Sequence, residues 1–345
     1  MSGSDPVLLD TTRRILRAVA DPQTRRDGDA AAAWRALDDA GLTRTWLPEA
    51  AGGAGATLGD GFEVLRLAGE VALDVPLAET LLAGWLVAAA GLTLPDGALA
   101  SAGAVDGSVA LRDGRLTGRL AGVAFARGAA AIAVIAARGS EPVVAVVDRA
   151  ACEVRPRDNL AGEPRDTVVL DGVAPVAFAA VPAGLHDRWW AMGAVARSCQ
   201  IAGALQGILT RSVTYAGERI AFDRPLAKFQ AIQHALARLA GEAAVALAAA
   251  GSAADALAAG CDDDALLLEV ASAKIRAGEA AASGAAIAHQ VHGAIGFSTE
   301  HPLHRFTRRL WAWRDDFGSE AAWAVRLGAQ ALRWGDGLWP VIAAR

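Results

Sequence analysis

Apolar residues in the first hundred positions recur at helical spacing: Leu8, Leu9, Ile15, Leu16 and Val19, then Trp34, Leu37, Ala40 and Leu42 around Gly41. This is the period of helices with one buried face. The stretch Trp46 to Gly55 holds Pro48, Gly52 and Gly53 and reads as a loop, with further helices expected from Phe62 to Val71 and from Ala78 to Ala90. From Ser101 to about Pro182 the texture changes to short Val- and Ile-rich runs, among them Ser108 to Arg112, Ala129 to Ala136, Pro142 to Val147 and Thr167 to Leu170. Asp113-Gly114 and Asp171-Gly172 punctuate these runs as hairpin turns, so the segment predicts about six to eight strands. Helical stripes then return over Trp189 to about Phe222, Phe229 to Ala259, Asp264 to Val291 and Ser319 to Trp334. Long helices on short connections predict an antiparallel bundle.

The expected organisation is therefore mainly α with a central β-domain: residues 1–100 helical, 101–183 β and 184–345 a helical bundle. A chain of 345 residues exceeds one ordinary core and can bury a large ligand. The 53% hydrophobic fraction is dominated by Ala, the best helix former. The longest apolar run, Leu81 to Leu94, falls short of the roughly 18 residues a membrane span needs, so a buried helix and no membrane span are expected. An N-terminus without a basic, apolar leader suggests a cytoplasmic protein. The net charge of −5, with both signs interspersed, argues against a nucleic-acid partner. Cys152, Cys199 and Cys261 are scattered and apart from the histidines, so neither a disulfide framework nor a metal site is expected.

Two stretches carry candidate chemistry. Arg219-Ile-Ala-Phe222-Asp-Arg-Pro225-Leu-Ala-Lys-Phe229-Gln230 closes a long helix with a cation and a Pro-containing turn. Gln290-Val-His-Gly293-Ala294-Ile-Gly296-Phe297 is a Gly-rich helix end with bare backbone amides. A pyrophosphate needs a positive group and unobscured donors of this kind.

Both stretches resemble the flavin-binding signatures of the acyl-CoA dehydrogenase family, with Tyr215 leading into the first and Glu300-His-Pro302-Leu leading out of the second. Leu47-Pro48-Glu49 through Gly52-Gly53 and Gly55 is similar to the family's Pro-Glu-x-x-Gly-Gly-x-Gly loop, and Asp74 to Thr80 is similar to a segment of its shorter bacterial members. The resemblance covers nearly the whole chain and implies the family's fold: an N-terminal helical domain, a small β-domain and a C-terminal four-helix bundle. It implies FAD as cofactor, with Arg219, Phe222, Gln230, Gln290, Gly293, Ala294 and Ser319 as cofactor-binding residues, largely across a subunit boundary. Ala294 replaces a second Gly and is compatible with close approach only at negative φ. Acyl-CoA as substrate, a homo- or hetero-oligomer with another acyl-CoA dehydrogenase subunit, and an acceptor of the electron-transfer-flavoprotein type follow from the same likeness.

The family's chemistry takes a proton from Cα of a thioester with a carboxylate and passes a hydride from Cβ to the flavin. In many members that Glu lies in a Tyr-Glu-Gly-Thr segment about twenty residues beyond the Gly-rich turn; this chain has Asp316-Phe317-Gly318-Ser319 there, with Phe317 at the Glu position. The alternative base position, counted back from Phe222 on the preceding helix, holds Gly193. Asp316 is the candidate catalytic residue, standing beside the missing Glu; a solvated residue before the Ser319 helix is the competing reading. The strand-domain loop that contacts the flavin ring in relatives has no counterpart between Leu92 and Arg119. His289 and His292 lie three apart on one helix without a third metal ligand, and His301 and His304 read as a solvated turn. Gly203 and Gly207 suggest close helix packing; Trp311 and Trp313 suit packing or a pocket wall. Two functions lead: a flavin-dependent acyl-CoA dehydrogenase using Asp316 or another displaced carboxylate, or a non-catalytic subunit completing the FAD site of a hetero-oligomeric acyl-CoA dehydrogenase; a binding or regulatory role without flavin is a third class.

Overall fold

A computed structural model describes residues 5–19, 30–103, 108–261, 263–335, 339 and 342. They form two compact units, one gathered from residues 1–27, 58–73 and 194–345, the other from 28–57 and 74–193. The long helix α5 (Leu185–Glu218) gives its first turns to the second unit and the remainder to the first.

The second unit holds α2 (Ala30–Asp39), α4 (Leu77–Ala89) and eight strands: β1 (Leu99–Gly103), β2 (Val109–Arg112), β3 (Arg115–Ala124), β4 (Ala131–Arg138), β5 (Glu141–Asp148), β6 (Glu153–Arg155), β7 (Arg165–Val173) and β8 (Ala177–Ala180). They make one sheet in the order β6-β7-β3-β2-β4-β5-β8, with β1 pairing parallel to β4. β4 and β5 are buried on both faces, which explains their unbroken Val, Ile and Ala runs. The predicted Asp113-Gly114 turn joins β2 to β3 with both residues at positive φ, the geometry of a two-residue hairpin. Asp171-Gly172 is not a turn. It is a bulge inside β7, where Gly172 takes φ +66° and the pairing with β3 slips by one residue. Helix α4 is buried, as its apolar run predicts, and packs on β1.

The first unit is helical: α1 (Pro6–Val19), α3 (Leu58–Glu70), most of α5, α6 (Gln230–Ala259), α7 (Asp263–His292), α8 (Leu303–Trp313) and α9 (Glu320–Trp334). α6 ends at Gly260 in the left-handed region and α7 opens on Asp263 and Asp264, whose charges suit a helix N-terminus. α6 and α9 both pack along α7. Glycines set the spacing between α3 and α5: a Cβ on Gly69 would overlap the Gln200 carbonyl, and one on Gly203 would overlap the Arg66 carbonyl. A Cβ on Gly207 would stand 2.6 Å from the Glu70 carbonyl oxygen, also too close. By length and composition α6 could pass for a membrane span, the one such helix among the described residues; its inner face lies against α7 and α3. The short helix α8, with Arg305, Arg308 and Arg309 interrupting its apolar stripe, was not expected from periodicity.

Candidate functional site

Helix α5 stops at Glu218, and the Arg219 amide donates to the Tyr215 carbonyl at 2.8 Å. The chain then reverses through a two-stranded hairpin, β9 (Ile220–Ala221) and β10 (Arg224–Pro225), with Phe222 at φ +52° and Asp223 at φ +62°. That turn geometry normally selects Asn-Gly, so a Phe held there is strained and calls for a functional reason. Its side chain is 89% exposed, touching the Phe229 ring edge-on at 6.2 Å. Arg224 lies 4.1 Å over the Phe229 ring and stiffens the hairpin base. The Arg219 side chain is exposed and has no ion-pair or hydrogen-bond partner among the described residues. Gln230, also exposed, opens α6.

Helix α7 ends at His292, and Gly293 breaks it at φ +65° into a single 3₁₀ turn reaching Phe297. Ala294 keeps a negative φ, the condition its methyl group required. Gln290, Gly293 and Ala294 are all exposed, and nothing lies within 4 Å of where a Cβ on Gly293 would stand. An unpartnered guanidinium and an open glycine backbone on the same unit fit a phosphate-bearing ligand.

Contacts beneath the surface join the two motifs. The Tyr215 ring stacks on His292 at 4.5 Å, and its hydroxyl donates to the His292 carbonyl at 3.3 Å. His301 is half-buried rather than in a solvated turn, 4.8 Å from His292 and 6.2 Å from Tyr215 between ring centroids. His289 stacks between Phe297 at 4.2 Å and Trp311 at 5.8 Å, with its Nε2 3.0 Å from the Thr307 hydroxyl. Burial lowers all three imidazole pKa values; His292 charge lowers those of His289 and His301 further, and Arg211 adds to the effect on His301. No group of three or more metal-ligating side chains occurs among the described residues.

The segment after α8, which holds Asp316 and Phe317, is closed by ion pairs. Asp316 Oδ2 accepts from Arg197 Nε at 2.9 Å, and Arg197 is only 3% exposed. Arg197 also donates to Gln200 Oε1 at 2.6 Å and lies 5.9 Å from the Trp313 ring. Lys274, fully buried on α7, donates to the Arg314 carbonyl at 2.5 Å, while Arg314 Nε donates to Glu320 at 2.8 Å. Burial lowers the Lys274 ammonium to about 8 against the opposing pull of Asp316, Glu320 and Asp315. Phe317 sits at φ +55° with its carbonyl accepting from Trp323 Nε1 at 2.9 Å. Ser319 caps α9, accepting from the Ala322 amide at 3.4 Å, which leaves its hydroxyl proton to donate elsewhere. Sequence reasoning missed Arg197. Its signal is a lone cation one turn beyond Gly193 in an apolar stretch, a residue that must find a buried partner.

Comparisons with known proteins agree with this architecture. The family model described as the acyl-CoA dehydrogenase C-terminal domain matches residues 190–315. Acyl-CoA dehydrogenase IpdE2 of Mycobacterium tuberculosis is 29% identical over 282 residues, 80% of this chain and 79% of that one. The ChsE4-ChsE5 complex from the same organism superposes with a TM-score of 0.85 at 25% identity, covering 94% of this chain and 96% of that chain. The steroid acyl-CoA dehydrogenase Tcur3481-Tcur3483 gives 0.82 at 25% identity, with 96% and 98% covered. With its order of elements, its paired C-terminal motifs and these likenesses in accord, this chain carries the acyl-CoA dehydrogenase C-terminal domain over residues 190–315 and is similar over most of its length to acyl-CoA dehydrogenases.

Proposed function

We propose that this chain is the non-catalytic subunit of a hetero-oligomeric acyl-CoA dehydrogenase, presenting Arg219, Phe222, Gln290 and the Gly293 turn to FAD in a site whose base comes from the partner. FAD would accept the hydride from Cβ of the acyl-CoA. Arg219 would face the pyrophosphate as a cation, and the Gly293–Ala294 backbone would allow close approach of the adenosine end. Phe222 would lend an apolar surface beside it, and Gln230 and Ser319 would contribute polar contacts.

The observation that carries this reading is the pairing of Asp316 with Arg197 beside Phe317. A base for α-proton removal needs an unengaged, desolvated carboxylate whose proton affinity is raised toward that of its substrate. A carboxylate held by a guanidinium is a weaker proton acceptor, and here its oxygen is committed to that partner. Phe317 itself offers no lone pair. A bulky, steroid-like acyl group fits the reading, because a subunit without its own base can give up its pocket to the partner's substrate. Relatives whose names pair two subunits or refer to a steroid support it.

The test is Asp316→Asn in the co-expressed complex. Turnover stays within about twofold, while the stability of the chain falls by about 2–4 kcal/mol as a buried Arg197 loses its counter-charge. A folded variant whose turnover collapses identifies Asp316 as the base and overturns the proposal.

A further inference from the structure

We infer that Tyr215 and His292 are positioning residues: their stacked rings clasp the helix end that carries Arg219 to the turn that carries Gly293, setting both halves of the dinucleotide grip in register. The inference rests on the proposed role of those halves in holding FAD. Its geometry is continuous from one half to the other. The Arg219 amide hangs on the Tyr215 carbonyl at 2.8 Å, the Tyr215 ring lies 4.5 Å from His292 at an interplanar angle of 24°, and the Tyr215 hydroxyl reaches the His292 carbonyl at 3.3 Å. Gly293, the next residue, is where the chain leaves α7. Tyr215 is the only tyrosine in the sequence.

The chemistry of His292 points beyond packing. Its Nδ1 lies 2.8 Å from the Ala288 carbonyl, which can only accept, so Nδ1 carries the proton and Nε2 a lone pair. That Nε2 is buried and has no hydrogen-bond partner among the described residues, a cost that Leu or Phe at this position would avoid. What imidazole adds is a flat ring for Tyr215 together with a hydrogen bond that fixes the ring to the last turn of α7. The clasp requires the neutral ring. Beside it stand Tyr215 of α5, His301 of the connecting segment and His289 of α7, while Arg211 of α5 and His304 at the start of α8 act on His301. A proton on His292 would meet the His289 and His301 imidazoles, and Nε2–H would have no acceptor among the described residues. Acid should therefore open the clasp, and burial sets that opening below the ordinary range of histidine.

Two measurements test it. In the co-expressed complex, FAD affinity is titrated from about pH 8 to about pH 5 for the parent, Tyr215→Phe, Tyr215→Leu and His292→Gln. Tyr215→Leu weakens FAD roughly tenfold, whereas Tyr215→Phe, which keeps the ring, stays within about threefold. His292→Gln makes the acid loss of affinity shallower. Parent-like affinity in Tyr215→Leu, or an unchanged acid limb in His292→Gln, overturns the clasp. In the second arm, hydrogen exchange at the amides from Gly293 to Ser298 is followed in the flavin-free chain. Tyr215→Leu accelerates it and Tyr215→Phe does not; equal exchange in all three chains overturns the clasp without reference to flavin. If neither the parent nor any variant binds FAD while the exchange arm responds as stated, the clasp stands as a coupling of the two segments and the flavin reading fails.

Discussion

Arg197 and Lys274 are cations carried into the interior by α5 and α7, and they are tolerated for different reasons. Arg197 is paired with Asp316, whereas Lys274 donates to the Arg314 carbonyl and sits in a surrounding of mixed sign. A lowered Lys274 pKa has a definite consequence for stability. The unfolded chain holds the lysine proton up to about 10.5 while the folded chain releases it near 8, so between these limits the unfolded state binds more protons and stability rises with pH. At neutral pH the buried ammonium is a net cost. Buried Cys199 works in the other direction: its thiol is pushed up to about 12, so stability falls as pH rises beyond the ordinary cysteine range near 9. The clean window lies between these two effects, about pH 8 to 9. There the parent should gain stability relative to Lys274→Met with a slope of at most about 1.4 kcal/mol per pH unit, read as paired denaturant midpoints. Parallel pH profiles for the two proteins would show that Lys274 stays protonated in the fold.

At the scale of elements, α3 and α5 can approach closely only because three positions lack a Cβ. Gly203→Ala should destabilise the chain by about 3 kcal/mol or more, since its methyl group would meet the rigid Arg66 carbonyl. Gly328→Ala on α9 has open space and should be neutral or stabilise by up to about 1 kcal/mol. Thermal midpoints of both variants check the pair, and equal losses would contradict the packing described here. These elements differ in how plainly the sequence announces them. Long stripes such as α6 and α7 are legible because periodicity accumulates over many turns, and the central strands because β-branched runs are continuous. Asp171-Gly172 misled because Gly serves a bulge as readily as a turn, and α8 was hidden by three arginines in eleven residues. The two stretches that resemble flavin-binding signatures are contiguous, so their likeness is visible in the sequence alone. The Arg197–Asp316 pair joins residues 119 apart, a relation that only tertiary structure creates. The Tyr215–His292 stack spans 77 positions for the same reason.

For the molecule as a whole, the two motifs present exposed groups while charges close the segment around Asp316. Phe222 is held outward at positive φ and Arg219 has no side-chain partner among the described residues, whereas Asp316, Arg197, Arg314, Glu320 and Lys274 are engaged with one another or with backbone. Such a division suits a chain that grips a cofactor and leaves proton removal to another subunit. The proposed role also accounts for Phe317 and Gly193 standing where the family resemblance leads one to expect a base, in a sequence whose two C-terminal stretches resemble dinucleotide-binding signatures. The most direct test is anaerobic addition of a steroid-side-chain acyl-CoA to the purified chain alone after incubation with FAD, followed by the visible flavin band and compared with the co-expressed complex. The account predicts reduction in the complex and none in the chain alone; stoichiometric flavin that is bleached by acyl-CoA in the chain alone would contradict it.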